Sequence, residues 1–311
     1  MSGKFLRNGL CALLGLLACT DRSVLAEVPQ PTVADEPLVV VVMDPLSDKL
    51  ACDCVAGFAQ RKYELLGQHL QRRLGRKVEV YWGDSIELAL KDENAKRKTP
   101  LVADMVIGKH SVVLAEAKAK KLGLEPSAQL TGLDGATTQT GMVVVRTSDP
   151  ALLVDDLAGY RIIFGPANCD EKNAAPRQLL ADAEIELPTE LEVASACSVA
   201  AQRMIDCPKD EKVAAIISSY AVPLLEGCGT IEKGAMRVIG ESDPVPFITV
   251  FLREATEERI RQQIMASLTE VAKDSALLRG LESRDGFVPF GAEATATVDP
   301  DSKSVAEKKT K

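Results

Sequence analysis

Alternating runs of hydrophobic and polar residues divide the chain into strands and helices between residues 37 and 290. A β-branched run, Leu38–Met43, is typical of a buried strand, and apolar residues spaced through 57–74 predict an amphipathic helix that ends at Gly75. Further strands are predicted at 77–82, 101–107, 141–146, 161–164, 213–217, 238–239 and 247–251. Helices are predicted at 84–96 with Asp84 as N-cap, from Ser111 onward, at 169–183 and at 256–278, with a helical turn in 149–157. Strands that alternate with helices in this way favour an α/β fold with parallel sheets.

The two ends of the chain differ from the region between them. Lys4 and Arg7 precede an apolar run at 9–19, which is too short to span a bilayer and is typical of a signal peptide. Two processing sites compete: a lipobox would leave a lipid-anchored Cys19, whereas cleavage after Ala26 would release a soluble protein, which we favour. Residues 27–36 form a polar, proline-containing linker, and residues 291–311 are predicted to be a disordered tail because they have no periodic apolar face.

Composition limits the classes of function. The chain of 311 residues has a formal charge of −8 and 4% aromatic residues, so it lacks the basic surface and the stacking side chains of a nucleic-acid-binding protein. It has only two histidines, His69 and His110, which excludes a His-rich metal site; His69 is expected on a solvated helix face. Motifs for a nucleophilic serine, a zinc protease, a phosphate loop or a dinucleotide are absent from the sequence. We therefore expect neither an enzyme nor a resident cofactor or metal.

Six cysteines remain after the signal peptide, and an exported protein meets an oxidising compartment. We predict structural disulfides among Cys52, Cys54, Cys169, Cys197, Cys207 and Cys228, with no bond between Cys52 and Cys54. The favoured pair is Cys197 with Cys207, on either side of a predicted helix, and the second is Cys169 with Cys228. A thiolate metal or redox site is the alternative.

The stretch 140–166, TGMVVVRTSDPALLVDDLAGYRIIFGP, resembles a characteristic block of bacterial ABC-transporter solute-binding proteins of the phosphate, phosphite and phosphonate (PhnD-like) family. Residues 101–117, 236–254 and 284–290 agree with the same family, so the resemblance covers about 40–290. It implies a two-lobed type II periplasmic-binding fold, each lobe a mainly parallel sheet flanked by helices. Lobe one would comprise 37–140 plus 247–290, and lobe two 141–246. It also implies a periplasmic receptor that carries a small-molecule ligand to an ABC permease.

In this fold the ligand lies in the cleft between the lobes, beside the loops that follow the carboxyl ends of the strands. Those loops and the first crossover segment contain the candidate ligand-binding residues: Asp44, Lys109, His110, Ser111, Thr138, Gln139, Thr140, Asn168, Cys169, Asp170, Glu171, Lys172, Ser218, Ser219 and Tyr220.

One segment departs from the family pattern. Members that bind phosphonates carry Ser-Thr-Ser-Gly at the helix N-terminus where this chain has Cys169, Asp170, Glu171 and Lys172, and their acidic strand residue corresponds to Ala214. Two carboxylates replace the hydroxyls, and they either repel an anion or cap their own helix. We therefore expect a ligand other than a simple phosphonate: a cationic or neutral polar molecule, or a metal held by Asp170, Glu171 and His110.

The sequence leaves two alternatives to a solute-binding receptor. The alternative function is a receptor-like periplasmic domain whose cysteines serve a redox or electron-transfer partner. A Cys169–His110 nucleophile pair is a third hypothesis.

Overall fold

The computed structural model describes residues 36–51 and 60–292. The predicted signal peptide with Cys19, residues 27–35 of the linker, Cys52, Cys54 and the tail from residue 293 lie outside the described residues. Among the described helices, none has the length and apolar character needed to cross a membrane.

Strands and helices alternate along the described chain. The strands are β1 (Leu38–Met43), β2 (Val78–Trp82), β3 (Met105–Lys109), β4 (Leu124–Leu130), β5 (Thr138–Gln139), β6 (Gly141–Arg146), β7 (Arg161–Phe164), β8 (Glu192–Val193), β9 (Val213–Ser218), β10 (Met236–Glu241), β11 (Val245–Pro246), β12 (Ile248–Arg253) and β13 (Phe287–Pro289). The α-helices are α1 (Tyr63–Leu74), α2 (Ile86–Asn94), α3 (His110–Lys120), α4 (Ala174–Asp182), α5 (Cys197–Asp206), α6 (Ala221–Gly227), α7 (Glu258–Glu270) and α8 (Ser275–Gly280). Short 3₁₀ turns lie at Val154–Leu157, Asp170–Lys172 and Val271–Lys273.

The first sheet has six strands in the order β13-β4-β12-β3-β1-β2. β1 runs parallel to β2 and β3, whereas β12 runs antiparallel to β3 and β4. On one face Val40 and Val42 join the cluster that contains Leu66 of α1 and Leu268 of α7, and on the other face Val39 and Val41 pack with residues of α2 and α3. Because helices cover both faces, all six residues of β1 are buried, as its continuous apolar run predicts.

The second sheet has five strands in the order β10-β6-β9-β7-β8. β7 runs parallel to β8 and β9, and β6 runs antiparallel to β9 and β10. Val143 and Val145 pack with Leu180 of α4, while Val144 packs on the opposite face with Met204 of α5. We call the six-stranded sheet with its helices the first lobe, and the five-stranded sheet with its helices the second lobe.

Two crossover segments connect the lobes side by side. They pair as the antiparallel strands β5 and β11, with Gln139 opposite Val245 and Thr138 opposite Pro246. The strands that follow them, β6 and β12, enter their sheets antiparallel to β9 and β3. The α/β fold with helix-flanked sheets is confirmed, but the sheets are mixed and not mainly parallel. Among the described strands, two pairs in each sheet are parallel, whereas three in the first sheet and two in the second are antiparallel.

Several predicted boundaries move for local reasons. The cap of α2 is Ser85, not Asp84, because the Ser85 hydroxyl accepts the Leu88 N–H at 3.1 Å. The helix predicted at 169–183 is interrupted at Asn173, and that predicted at 256–278 is broken before Asp274, whose carboxylate caps α8. The strand predicted at 101–107 begins only at Met105. The strand β4 was not predicted, because Pro126 interrupts its pattern; this proline lies beside an irregularity in the pairing with β12.

His69 is the clearest failure of the solvated-face prediction. Its side chain lies in the packing between α1 and α7, the residue is 8% exposed, and its Nε2 is 2.9 Å from the Ser267 carbonyl oxygen. The polar residues around His69 in the sequence suggested solvent, but a hydrogen bond to a neighbouring helix satisfies the ring inside the protein.

Candidate functional site

A cavity of about 490 Å³ lies between the two lobes. The first lobe lines it with the ends of β1 and β3 and nearby residues: Met43, Pro45, Leu46, Leu50, Asp84, Lys109 and Val112. The second lobe lines it with the loops after β7, β8 and β9 and with the helices α5 and α6 that follow two of them: Pro166, Asn168, Cys169, Lys172, Ser195, Ala196, Cys197, Ser198, Tyr220, Ala221, Leu224 and Leu225. The cavity therefore lies where the carboxyl ends of the parallel strands meet, as expected for such sheets.

A buried ion pair joins the lobes at this cavity. Lys109, the last residue of β3, donates from its Nζ to the Oε1 of Glu171 in the turn after β7. The same oxygen accepts hydrogen bonds from the Cys169 thiol at 3.0 Å and from the Ser218 hydroxyl at 2.9 Å. Lys109 is 7% exposed and Glu171 is 1% exposed. The carboxylate of Glu171 is thus held by three donors inside the protein.

The surroundings keep Glu171 ionised. Burial by itself would raise the pKa of this carboxyl, but the Lys109 ammonium and the hydrogen bonds from Lys109 and Cys169 outweigh burial and lower the pKa to about 2. Burial would likewise lower the pKa of Lys109, whereas its neighbours, Glu171 among them, raise it well above the usual value. Lys109 also lies 5.3 Å from the centre of the Tyr220 ring. The pair is therefore fully charged at neutral pH.

Cys169 is a neutral thiol. Burial chiefly, with the adjacent Glu171 carboxylate, raises its pKa to about 12 although Lys109 opposes the shift. His110 faces elsewhere: its ring stacks on Phe290 with centroids 5.1 Å apart, and its Nδ1 is 3.3 Å from the Thr249 hydroxyl. Burial lowers the pKa of His110. The arrangement contradicts the Cys169–His110 nucleophile pair, because the thiol is directed at Glu171 and stays protonated.

Other predicted residues lie around the cavity without lining it. Asp44 is buried within the first lobe, where it accepts hydrogen bonds from Arg61 at 2.9 Å and Tyr63 at 2.6 Å. Ser111 makes a second contact between the lobes, because its hydroxyl accepts the Asp170 N–H at 3.1 Å. The Glu171 carboxylate does not cap its own helix, contrary to that alternative, since its donors are side chains. Ala214 packs in the hydrophobic core of the second lobe.

The crossover residues lie at a second cavity. This cavity, also about 490 Å³, is lined by Thr138, Gln139, Ser219 and Tyr220 among other residues, and it shares Tyr220 with the first cavity. The Thr140 hydroxyl donates to Glu241 at 2.7 Å. Thr138, Gln139 and Thr140 therefore belong to a crossover segment, whereas Ser219 and Tyr220 follow β9 in the second lobe.

The described part of the chain does not support a metal site. Within it, no three His, Cys, Asp or Glu side chains are grouped so that they could hold a metal ion. The expected set of Asp170, Glu171 and His110 fails because Glu171 is bound by Lys109 and His110 stacks on Phe290. The structure therefore contradicts a metal held by these three side chains.

The disulfide pairings are also wrong. Cys169, Cys197, Cys207 and Cys228 all have free thiols in the structure. Cys197 begins α5 and Cys207 follows its end, so a helix of 10 residues separates them by about 15 Å, whereas a disulfide requires Cα atoms within about 7 Å. The Cys228 thiol lies 3.0 Å from the Thr230 hydroxyl instead of meeting Cys169.

The sequence prediction missed the segment that runs from the end of β8 into the first turn of α5. Ser195, Ala196, Cys197 and Ser198 line the first cavity, although only Cys197 was singled out, and then as a disulfide partner. The signal was available, because this segment follows the short strand β8 and precedes a helix, as the predicted loops do. The two-residue length of β8 concealed it.

Comparisons with known proteins agree with this geometry. Residues 58–294 match the family model described as ABC transporter, phosphonate, periplasmic substrate-binding protein. No curated protein sequence shows significant similarity to the chain.

Solved structures with the same fold include several binding proteins. XAC2383 from Xanthomonas citri, bound to chloride, has a TM-score of 0.59 at 14% identity, covering 83% of this chain and 92% of its own. A binding protein component of an ABC phosphonate transporter from Pseudomonas aeruginosa has a TM-score of 0.58 at 13% identity and 82% coverage of both chains. PhnD1 from Prochlorococcus marinus in complex with methylphosphonate has a TM-score of 0.57 at 14% identity, covering 83% and 95%. The two-lobed type II periplasmic-binding fold is thereby confirmed, and the chain belongs to the family of periplasmic substrate-binding proteins of phosphonate-type ABC transporters.

Proposed function

We propose that this protein is an exported receptor that delivers a small molecule to an ABC permease, and that its ligand is not phosphate, phosphite or a simple phosphonate. The observation that carries the proposal is the buried Glu171 carboxylate. It stands at one of the positions where phosphonate-binding relatives have hydroxyl groups, and it occupies Lys109 and Ser218 as an anionic ligand would.

A phosphonate would compete with this internal carboxylate. A dianion entering beside Glu171 meets the like charge of a buried carboxylate, and such juxtaposition costs several kcal/mol. The Lys109 ammonium and the Ser218 hydroxyl already bind Glu171, so neither is free to compensate. A ligand that needs no oxyanion cradle at this point fits the cleft better.

The export route follows from the sequence. We propose removal of residues 1–26 and release into the periplasm; acylation at Cys19, which would anchor the protein to a membrane, is the alternative. The redox role finds no support, because the Cys169 thiol is neutral and the described residues contain no grouped metal ligands.

Calorimetric titration of the mature protein with phosphate, phosphite and methylphosphonate tests the ligand part of the proposal. We expect dissociation constants weaker than about 1 mM for all three. Micromolar binding of any of them would overturn it. The receptor role is tested separately with a thermal-shift screen of small metabolites, in which at least one compound should raise the melting temperature through preferential binding to the folded state.

A further inference from the structure

Lys172 lines the first cavity with its charge unpaired. The residue is 6% exposed, and within residues 36–51 and 60–292 its Nζ makes no hydrogen bond or ion pair. Its side chain crosses Gly165 so closely that a Cβ at position 165 would lie 2.4 Å from the Lys172 Cβ. The side chain is largely removed from solvent and lines the cavity, so an anion bound there would give its ammonium group a partner.

The N-terminus of α5 borders the same cavity. The helix has 10 residues, its N-cap residue is Ala196, and no side chain caps it. The first backbone N–H groups of an α-helix have no partner within the helix, and together with the helix dipole they favour an anion. Ser195 and Ser198 line the cavity on either side of this N-cap and add hydroxyl donors.

The other charges at the cavity leave this region positive. Glu171 forms its ion pair with Lys109 and attracts Lys172 only at longer range, so two ammonium groups face a single carboxylate. Asp84 also lines the cavity but is solvent-exposed, where water and salt screen its charge.

The remaining wall is apolar. Met43, Leu46 and Leu50 line the cavity from the first lobe, and Leu224 and Leu225 line it from the second. A cavity of about 490 Å³ with one polar end and apolar walls is typical of a site for a small organic molecule. A compact hydrophilic anion would leave these apolar side chains without contacts.

We propose that the cleft binds a small organic acid, with its carboxylate between Lys172 and the N-terminus of α5 and its apolar body against the leucines and Met43. This inference rests on the proposed receptor function and adds the chemical class of the ligand. It also replaces the expectation of a cationic or neutral polar ligand. Of the two carboxylates that suggested such a ligand, Glu171 is paired with Lys109 and Asp170 does not line the cavity.

The test compares hexanoate with hexanamide, which has a similar shape but no charge, by calorimetric titration of the mature protein. We expect hexanoate to bind at least about tenfold more tightly than hexanamide, because a hydrogen bond to a charged group exceeds one to a neutral group. In Lys172→Met this preference should vanish. Lys233→Met, at an exposed lysine of the second lobe, should retain it.

A second variant tests the same site without removing the lysine. Ala196→Asp places a carboxylate at the N-cap of α5, where aspartate is favoured, so the protein should fold at least as well as the wild type. The new carboxylate should occupy the anion position and weaken hexanoate binding about tenfold or more.

Three outcomes would overturn the inference. They are equal affinity of the wild type for hexanoate and hexanamide, a preference for hexanoate that survives in both Lys172→Met and Ala196→Asp, and no binding of hexanoate. These outcomes are distinct from failure of the receptor proposal. That proposal fails if methylphosphonate binds at micromolar concentration or if no metabolite stabilises the protein, whereas another ligand found in the screen would leave it standing.

Discussion

The ammonium of Lys109 and the carboxylate of Glu171 connect the two lobes of this receptor through a buried ion pair. A second interlobe contact lies beside it, where the Asp170 N–H donates to the Ser111 hydroxyl. A buried carboxylate of the second lobe therefore binds an ammonium group of the first. In proteins that close two lobes around a ligand, the ligand ordinarily contacts both lobes. Here the Glu171 side chain makes one such contact, because it belongs to one lobe and binds Lys109 of the other.

Removal of this carboxylate should make the protein respond to added anions. In Glu171→Ala, Lys109 is left buried without its partner, and breaking a buried pair in this way costs about 3–5 kcal/mol. Methylphosphonate or acetate should fill the vacancy and raise the melting temperature of the variant, with little effect on the wild type.

The matched control is Glu190→Ala, which removes an exposed carboxylate from the same lobe. It should melt like the wild type and show no anion response. If Glu171→Ala is as stable as this control, or if anions stabilise both variants equally, the ion pair does not have the structural role assigned to it.

The ion pair should make stability fall at low pH. The pKa of Glu171 is about 2 in the folded protein and about 4.3 in an unfolded chain, so the folded state favours the ionised carboxylate. Its contribution is complete above about pH 4.5 and disappears as the pH falls towards 2, and it amounts to about 3 kcal/mol. Urea unfolding of the wild type and Glu171→Gln between about pH 3 and 6 measures it, and parallel pH profiles would contradict it.

Cys169 should resist alkylation in the native protein. With a pKa of about 12, its thiolate fraction at pH 8 is about a thousandfold below that of an ordinary cysteine, whose pKa is about 8.5. Timed labelling with iodoacetamide, followed by peptide mass mapping, should therefore modify Cys197, Cys207 and Cys228 well before Cys169. Labelling of all four at similar rates would show that the buried thiol is not held as described. A disulfide between Cys197 and Cys207 would contradict the free thiols of the structure.

Gly141 should tolerate no side chain, because the turn that carries Glu171 lies against it. A Cβ at position 141 would fall 1.9 Å from the Glu171 carbonyl oxygen, and this contact involves backbone that cannot rotate away. We expect Gly141→Ala to destabilise the protein by about 1–3 kcal/mol. Gly75→Ala is the comparison: its strain comes from the left-handed helix end, so it should cost about 1 kcal/mol without affecting ligand binding. A Gly141→Ala variant that melts like the wild type would contradict the close approach of the two backbone segments.

Local sequence patterns determined much of the fold. The continuous apolar run of β1, the strands β6 and β7, and the end of α1 at Gly75 all appear where the sequence predicts them. Each depends on the residue itself or on close neighbours: burial on both faces requires an unbroken apolar run, and a left-handed helix end suits glycine. The order of these elements, together with the family block at 140–166, was sufficient to indicate the two-lobed fold.

The partners of the polar residues were decided only by the tertiary structure. The sequence identified Lys109, Glu171 and Ser218 as residues of the cleft, but it left open whether the carboxylate repels an anion or caps a helix. In the structure Glu171 does not cap its helix: packing of the lobes brings its carboxylate to Lys109, 62 positions away, and packing within the second lobe brings it to Ser218, 47 positions away. Composition and periodicity describe burial along one element, whereas a hydrogen bond between lobes depends on how the elements pack. The predicted disulfide between Cys197 and Cys207 was wrong for the same reason. The two residues are close in sequence, but they lie at opposite ends of one helix.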